Sequence, residues 1–273
     1  MQVTPSSSID QFPYPVQTRM RGSALASELR TAGVLVLHGF TSSLDCVRGI
    51  APYLAREGFD CEMPLLRGHG SRPEDLVGVV AQDWYEDSLL ALERLASRVD
   101  AVVVLGLSMG GLMALNLCAR PHAFRHKICA CVTWAAALGF VNPLSRFVKY
   151  LSPVFRMWPS QESFNDAQCR KNNTNYRTFP TRTFGSLQAF ARETRGILGD
   201  VSVPLCVIHS RRDQVVPHAT AGLLFDSAAS SHCVQHTLSR SGHELGQDCE
   251  AETVFALSMR FIRACVGRVG GDA

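Results

Sequence analysis

The sequence predicts an α/β protein, a mostly parallel sheet covered by helices on both faces and interrupted by one insertion. Three observations carry that expectation. Short apolar runs rich in β-branched residues, of which Ala101-Val102-Val103-Val104-Leu105 is the plainest, read as strands buried on both faces. Helical patterns separate these runs regularly, as β-α-β crossovers require. The alternation stops near Leu138 and resumes near Leu205, leaving a stretch that does not extend the sheet. A chain of 273 residues fits one domain with an insertion better than two domains. The expected division is therefore a core of residues 1–137 and 204–273, with a mostly helical insertion at 138–203.

Taken in order, Phe12, Tyr14 and Val16 stand between prolines and suggest one or two edge strands of undefined pairing. Gly33-Val34-Leu35-Val36-Leu37 is a buried strand running into His38-Gly39-Phe40-Thr41. A helix follows, capped by Ser42 or Ser43, with Val47, Ile50, Tyr53 and Leu54 on one face and Gly58 as its stop. Phe59-Asp60-Cys61-Glu62-Met63 is a short strand, and Asp83 is the expected cap of the helix through Trp84, Leu89, Leu92 and Leu95. After the strand at 101–105, Leu112 to Leu117 reads as helix and Ile128 to Trp134 as strand. In the insertion, Asn142-Pro143 is a helix start and Pro153 and Pro159 are breaks. Leu144, Phe147, Val148, Leu151, Phe155 and Trp158 fall on one apolar face, opposite Arg146, Lys149 and Arg156. The strand at 205–209, a helix near 217–228, a strand near 233–238 and a helix near 248–265 complete the pattern.

A formal charge of +3, with its arginines and lysines scattered, gives no nucleic-acid footprint. None of the ten cysteines stands in a C-x-x-C pair, and Cys61, Cys118, Cys129, Cys131, Cys206 and Cys265 lie inside apolar segments. They read as reduced core residues of a cytoplasmic protein, with no metal or disulfide framework. The first ten residues have neither a basic start nor an apolar stretch, so no secretory signal is expected. Nor does any apolar run reach the length that spans a bilayer.

Gly106-Leu107-Ser108-Met109-Gly110 follows a buried strand and opens a helix. A serine on such a turn is forced into strained dihedrals, and the flanking glycines let the backbone pass close by, so this is a G-x-S-x-G nucleophile elbow. A serine hydroxyl needs a base and an orienting acid. Asp213 follows the strand at 205–209, and His243 follows the last strand, placing both at the sheet's carboxyl edge. The order Ser108, Asp213, His243 is the one expected of a hydrolase on such a sheet. Asp213 as a turn or capping residue, and His243 as an ordinary loop histidine, are the plainer alternatives. His209, His218, His232 and His236 are rival bases that lie within or beside other elements, while Glu244 and Asp248 are rival acids. Glu244 adjoins the histidine in sequence and is poorly placed to reach back to its ring. The oxyanion donors expected are the amides of Met109, at a helix N-terminus, and of Phe40, just after the neighbouring strand. His38 reads as structural.

With these segments in view, the chain resembles the α/β-hydrolases of the carboxylesterase and monoacylglycerol lipase group. The resemblance rests on His38-Gly39-Phe40-Thr41, Arg67-Gly68-His69-Gly70, Gly106-Leu107-Ser108-Met109-Gly110-Gly111, Asp213 with Val216-Pro217, and Ser241-Gly242-His243. It implies that the insertion is a small helical lid and that the substrates are esters of short or medium acyl chains, or monoacylglycerols, with no cofactor. Transient lipid contact by the lid is a further expectation. The long N-terminal segment and the high cysteine content depart from the pattern. Thioester hydrolysis, acyl transfer or carbon–carbon cleavage would use the same machinery, and a non-catalytic ligand-binding protein is the reading from a different class.

Overall fold

The computed structural model describes residues 16–20, 31–147 and 155–266. Of the segments read above, residues 1–15 with Phe12 and Tyr14 lie outside it. So do Val148, Lys149, Leu151 and Pro153, and the side chains of Leu144 and Arg146.

The main sheet is built from β1 (Val16–Met20), β2 (Ala32–Leu37), β3 (Asp60–Glu62), β4 (Ala101–Leu107), β5 (Ile128–Trp134), β8 (Leu205–Ser210) and β9 (His232–Leu238). Their spatial order is β1-β9-β8-β5-β4-β2-β3. All neighbours are parallel except the edge pair β1 and β9, whose register sets Val16 against His236. Every residue of β2, β4 and β8 is buried, as runs with apolar side chains on both faces demand.

Helices α1 (Ala51–Arg56), α2 (Ala81–Ala96), α3 (Met109–Ala119), α5 (Thr181–Gly196), α6 (Ala219–Ser227) and α7 (Ala251–Val266) cover the sheet. The core accordingly has two layers. One packs Leu92 and Leu95 of α2, Leu112 and Leu115 of α3 and Phe190 of α5 against one face. The other packs Leu54 of α1 and Val254, Leu257 and Ile262 of α7 against the opposite face. Adjacent strands β2 and β4 thus send their helices to opposite faces, which opens a crevice at their carboxyl ends.

Asp83 is the third residue of α2 and not its cap. Val80 takes the cap position, and the Asp83 carboxylate reaches back to the Val80 amide at 2.8 Å. The misplacement is one turn, because a carboxylate at either position satisfies an orphan amide. Ser43 caps a 3-10 turn, Leu44–Cys46, accepting from the Asp45 amide at 3.2 Å, and not the helix, which begins only at Ala51 with Ile50 in the cap position; Gly58 takes a φ of 76° past the end of α1.

Between β5 and β8, the described residues of 138–203 add no strand to the main sheet, and β5 pairs directly with β8. A 3-10 turn occupies Pro143–Phe147. Strands β6 (Met157–Pro159) and β7 (Thr178–Pro180) then form an antiparallel ribbon around the single-turn helix α4 (Ala167–Arg170). Pro159 sits in that ribbon and breaks no helix. Helix α5 docks on the core, where Asn116 Nδ2 donates to Thr194 Oγ1 at 2.7 Å and the Arg120 guanidinium lies 5.0 Å over the Phe190 ring.

Candidate active site

Ser108 ends β4 with φ 55° and ψ −112°, a left-handed strain imposed where the strand turns directly into α3. The turn is possible only because its neighbours lack side chains. A Cβ at Gly106 would lie 2.1 Å from the Gly110 carbonyl oxygen, and one at Gly110 would lie 2.1 Å from that of Leu37. The Ser108 amide donates to Trp134 O at 2.8 Å, tying the elbow to β5.

Asp213 leaves the end of β8 in a loop that fixes its carboxylate from two sides. Oδ1 accepts the amides of Val215 and Val216, both at 2.8 Å. Oδ2 accepts from His243 Nδ1 at 2.8 Å and from His209 Nε2 at 3.1 Å. Burial alone would raise the Asp213 pKa. The His243 charge and the two histidine hydrogen bonds outweigh it and hold the carboxyl well below the usual range. For His243, burial opposes protonation, but Asp213 and then Glu244 more than offset it, so its pKa is raised. Ser108 and His243 line one cavity of about 450 Å³. Its lining mixes the apolar Phe40, Phe140, Trp158, Phe179, Phe184 and Leu187 with the polar Glu162, Ser163, Asn173, Asn175, Arg177 and Glu244.

The loop after β2 runs beside the elbow, with a Cβ at Gly39 reaching 3.5 Å from Ser108 Cβ. Neither the Phe40 nor the Met109 amide donates to a protein acceptor among the described residues. Two buried histidines hold that loop. His38 Nε2 accepts the Leu66 amide at 3.0 Å while Nδ1 donates to Gly39 O at 2.9 Å. His69 Nε2 accepts the Thr41 amide at 3.2 Å while Nδ1 donates to Arg67 O at 3.0 Å. A ring that accepts at one nitrogen is neutral, and burial lowers the two pKa values to about 4 and about 3. Thr41, at φ 63°, is further held by the Tyr176 amide on its carbonyl at 2.8 Å.

Residues 30–250 match the family described as Serine aminopeptidase, S33 (Hydrolase_4). The chain belongs to this family. It is 26% identical over 222 residues to a carboxylesterase of Bacillus subtilis (strain 168), covering 81% of this chain and 88% of that one. It is also 26% identical over 241 residues to a thermostable monoacylglycerol lipase of Bacillus sp. (strain H-257), covering 86% and 92%. Among solved structures, one described under LipS and LipT, two metagenome-derived lipolytic enzymes, superposes with a TM-score of 0.80 at 26% identity, covering 91% and 96%. The architecture of this S33 hydrolase is the α/β-hydrolase fold.

The sequence-predicted Ser108, Asp213, His243, Phe40 and Met109 are thus gathered around one crevice. The rival acids are occupied elsewhere. Asp248 accepts the amides of Asn165, Asp166 and Gly242, and Glu244 accepts from Asn175. Sequence reasoning weighed His209 as a rival base and missed its hydrogen bond to Asp213, whose signal was the spacing of four across a strand end. It also missed Asn175, Phe179 and Phe184, which reach the cavity from the ribbon and α5 and carry no local motif.

Proposed function

We propose that this S33 hydrolase is a serine-dependent carboxylic ester hydrolase that works through an acyl-enzyme. The observation that carries the reading is the 2.8 Å hydrogen bond from His243 to the doubly anchored Asp213, with Ser108 on the wall of the same cavity. In this reading His243 removes the Ser108 proton as the hydroxyl attacks the ester carbonyl. Asp213 orients and compensates the imidazolium, and the Phe40 and Met109 amides receive the oxyanion. His243 then delivers the proton to the departing alcohol, and a water activated by the same ring releases the acid. The carboxylesterase and monoacylglycerol lipase named above support esters as the bond cleaved, and the mixed cavity supports an apolar acyl half.

Residues 138–203 act as a lid in this proposal, since β6, β7 and α5 supply Trp158, Phe179, Phe184 and Leu187 to the wall over Ser108. Phe147 and Phe155, half exposed at 48% and 51%, support transient contact of the lid with lipid, checked by whether the rate rises abruptly as substrate passes from monomers to an emulsion. No helix of the described residues is long and apolar enough to cross a membrane. A cytoplasmic site is supported by all ten cysteines being free thiols, and cell fractionation checks it.

Acyl transfer is the second reading, supported by 24% identity over 218 residues to an acyl transferase of Aliivibrio fischeri, covering 79% of this chain and 68% of that one. The experiment is labelling by a fluorophosphonate together with a panel of esters, thioesters and aminoacyl amides, in the presence and absence of an acceptor alcohol. Ser108→Ala is expected to fold, to lose the label and to lose ester cleavage by 10³-fold or more, an order-of-magnitude figure for removing a nucleophile. An active Ser108→Ala protein would sink the assignment.

A further inference from the structure

A second cavity, of about 640 Å³, shares no lining residue with the one that holds Ser108. The ribbon stands between them. Its register pair Trp158 and Phe179 lines the first cavity, and the adjoining pair, Met157 and Pro180, lines the second, because successive side chains of a strand point to opposite faces. The rest of the apolar lining comes from the loop at 77–80. There Val77 and Val80 are 65% and 43% exposed, large hydrophobic side chains left in water beside a concavity.

The charge of this cavity is one-sided. Arg156 and Arg182 line it, and no acidic residue does. Both stand at one end of the ribbon, since the Thr181 amide donates to Arg156 O at 3.0 Å and Arg182 is the next residue. Among the described residues neither guanidinium has a hydrogen-bond or ion-pair partner. Elsewhere the pattern is the reverse, with Arg67, Arg94 and Arg98 each meeting a carboxylate at 2.9 Å. Asp75 and Asp83, which flank the loop at 77–80, are already paired with Arg72 and Arg67.

Two cations at one cavity without a counter-charge repel each other, and an oxyanion relieves that repulsion while matching the fork of guanidinium donors. The apolar half asks for something more. A bare inorganic anion would leave Val77, Val80 and Met157 wet, whereas an alkyl chain would cover them. The volume lies within the roughly 300–1,000 Å³ of small-molecule sites.

We propose that this cavity is a binding site for single-chain alkyl oxyanions, a fatty carboxylate or an alkyl phosphate, with the head on Arg156 and Arg182 and the chain along Val77, Val80 and Met157. The site is separate from the catalytic cavity and does not depend on which reaction Ser108 carries out.

The test is calorimetric binding of decanoate, decyl phosphate, decanol and acetate, below their micelle concentrations and in about 0.15 M salt so that distant surface charges are screened. The proteins compared are the wild type and Arg156→Gln/Arg182→Gln. Both side chains are exposed and unbonded, so the double variant should keep the melting temperature and the kcat/KM for a short ester. At least one decyl anion is expected to bind the wild type about tenfold or more tightly than the double variant, with no such difference for decanol. Any ligand taken up by the catalytic cavity contributes equally to both proteins. Equal affinity of both anions for the two proteins overturns the site, and so does an equal loss for decanol. Acetate binding as tightly as decanoate also overturns it, because the apolar lining then has no part. Should the double variant melt early, Val77→Ser replaces it, at a position too exposed to matter to packing. It is expected to weaken the decyl anions about threefold or more, and an unchanged affinity overturns the proposal.

Discussion

At the scale of single residues, the charge relations around Asp213 set the pH dependence. In the proposed reaction His243 must be neutral to accept the Ser108 proton; burial lowers its pKa, but Asp213 more than offsets that and raises it above the ordinary 6.5. Activity is therefore expected to fall as pH drops through a value above 6.5, since protonated His243 cannot act as base. Asp213→Asn removes the charge that holds the imidazolium, so the acid limb of kcat/KM should move to lower pH while kcat falls on the order of 10⁴-fold. Glu244 also raises the His243 pKa, but by less than burial lowers it, so without Asp213 the limb should fall below the ordinary histidine value. An unmoved acid limb would mean that another group titrates. Much of this proposed site was legible in the sequence because Ser108, Asp213 and His243 each lie in the turn or loop that follows a strand readable from the sequence. His209 was not, because its role depends on a side chain turning back from inside β8 to Asp213 Oδ2, which no local pattern reports.

At the scale of elements, the strands that hold the site are those with the strongest sequence signal. β2, β4 and β8 are buried along their whole length, and a run that must be apolar on both faces has few alternatives. The ribbon of β6 and β7 was illegible for the converse reason. Met157-Trp158-Pro159 and Thr178-Phe179-Pro180 are three residues each, both end in proline, and their pairing spans the whole of α4. Such short strands exist through tertiary contact, among them the Phe179 ring 5.3 Å from Phe40 and 5.0 Å from Phe184. The elbow gives this scale its prediction. Gly110→Ala would drive a methyl group into the Leu37 and His38 carbonyls, which belong to a central strand and its tightly bonded loop and cannot withdraw. A destabilisation of about 3 kcal/mol or more is expected, seen as a lower denaturant midpoint with little change in slope. Gly199→Ala, where a Cβ meets nothing within 4 Å, should leave the midpoint nearly unchanged and serves as the control.

At the scale of the whole molecule, core and insertion meet over Ser108, and the cavity between them should decide how long an acyl chain is accepted. Phe147 and Phe155, on the apolar face read from the sequence, are about half exposed, and among the described residues of that face it is Trp158 that lines the cavity. The remaining apolar wall comes from Phe40 on the core and from Phe140, Phe179, Phe184 and Leu187 in the insertion. Each methylene moved from water onto such a wall contributes roughly 0.8 kcal/mol, or about fourfold in kcat/KM if the contact persists in the transition state. In the wild type, kcat/KM should rise by up to that factor per carbon along a series of glyceryl esters until the cavity is full. Trp158→Ala takes away part of the surface that the chain covers, so the increment per methylene should shrink while the shortest ester is affected least. Phe155→Ala, whose half-exposed ring lies edge-on to Trp158 at 6.1 Å and does not line the cavity, should leave the increment close to wild type. If Trp158→Ala instead lowers every chain length by the same factor, or lowers only the melting temperature, Trp158 is part of the packing and the insertion does not measure the acyl chain.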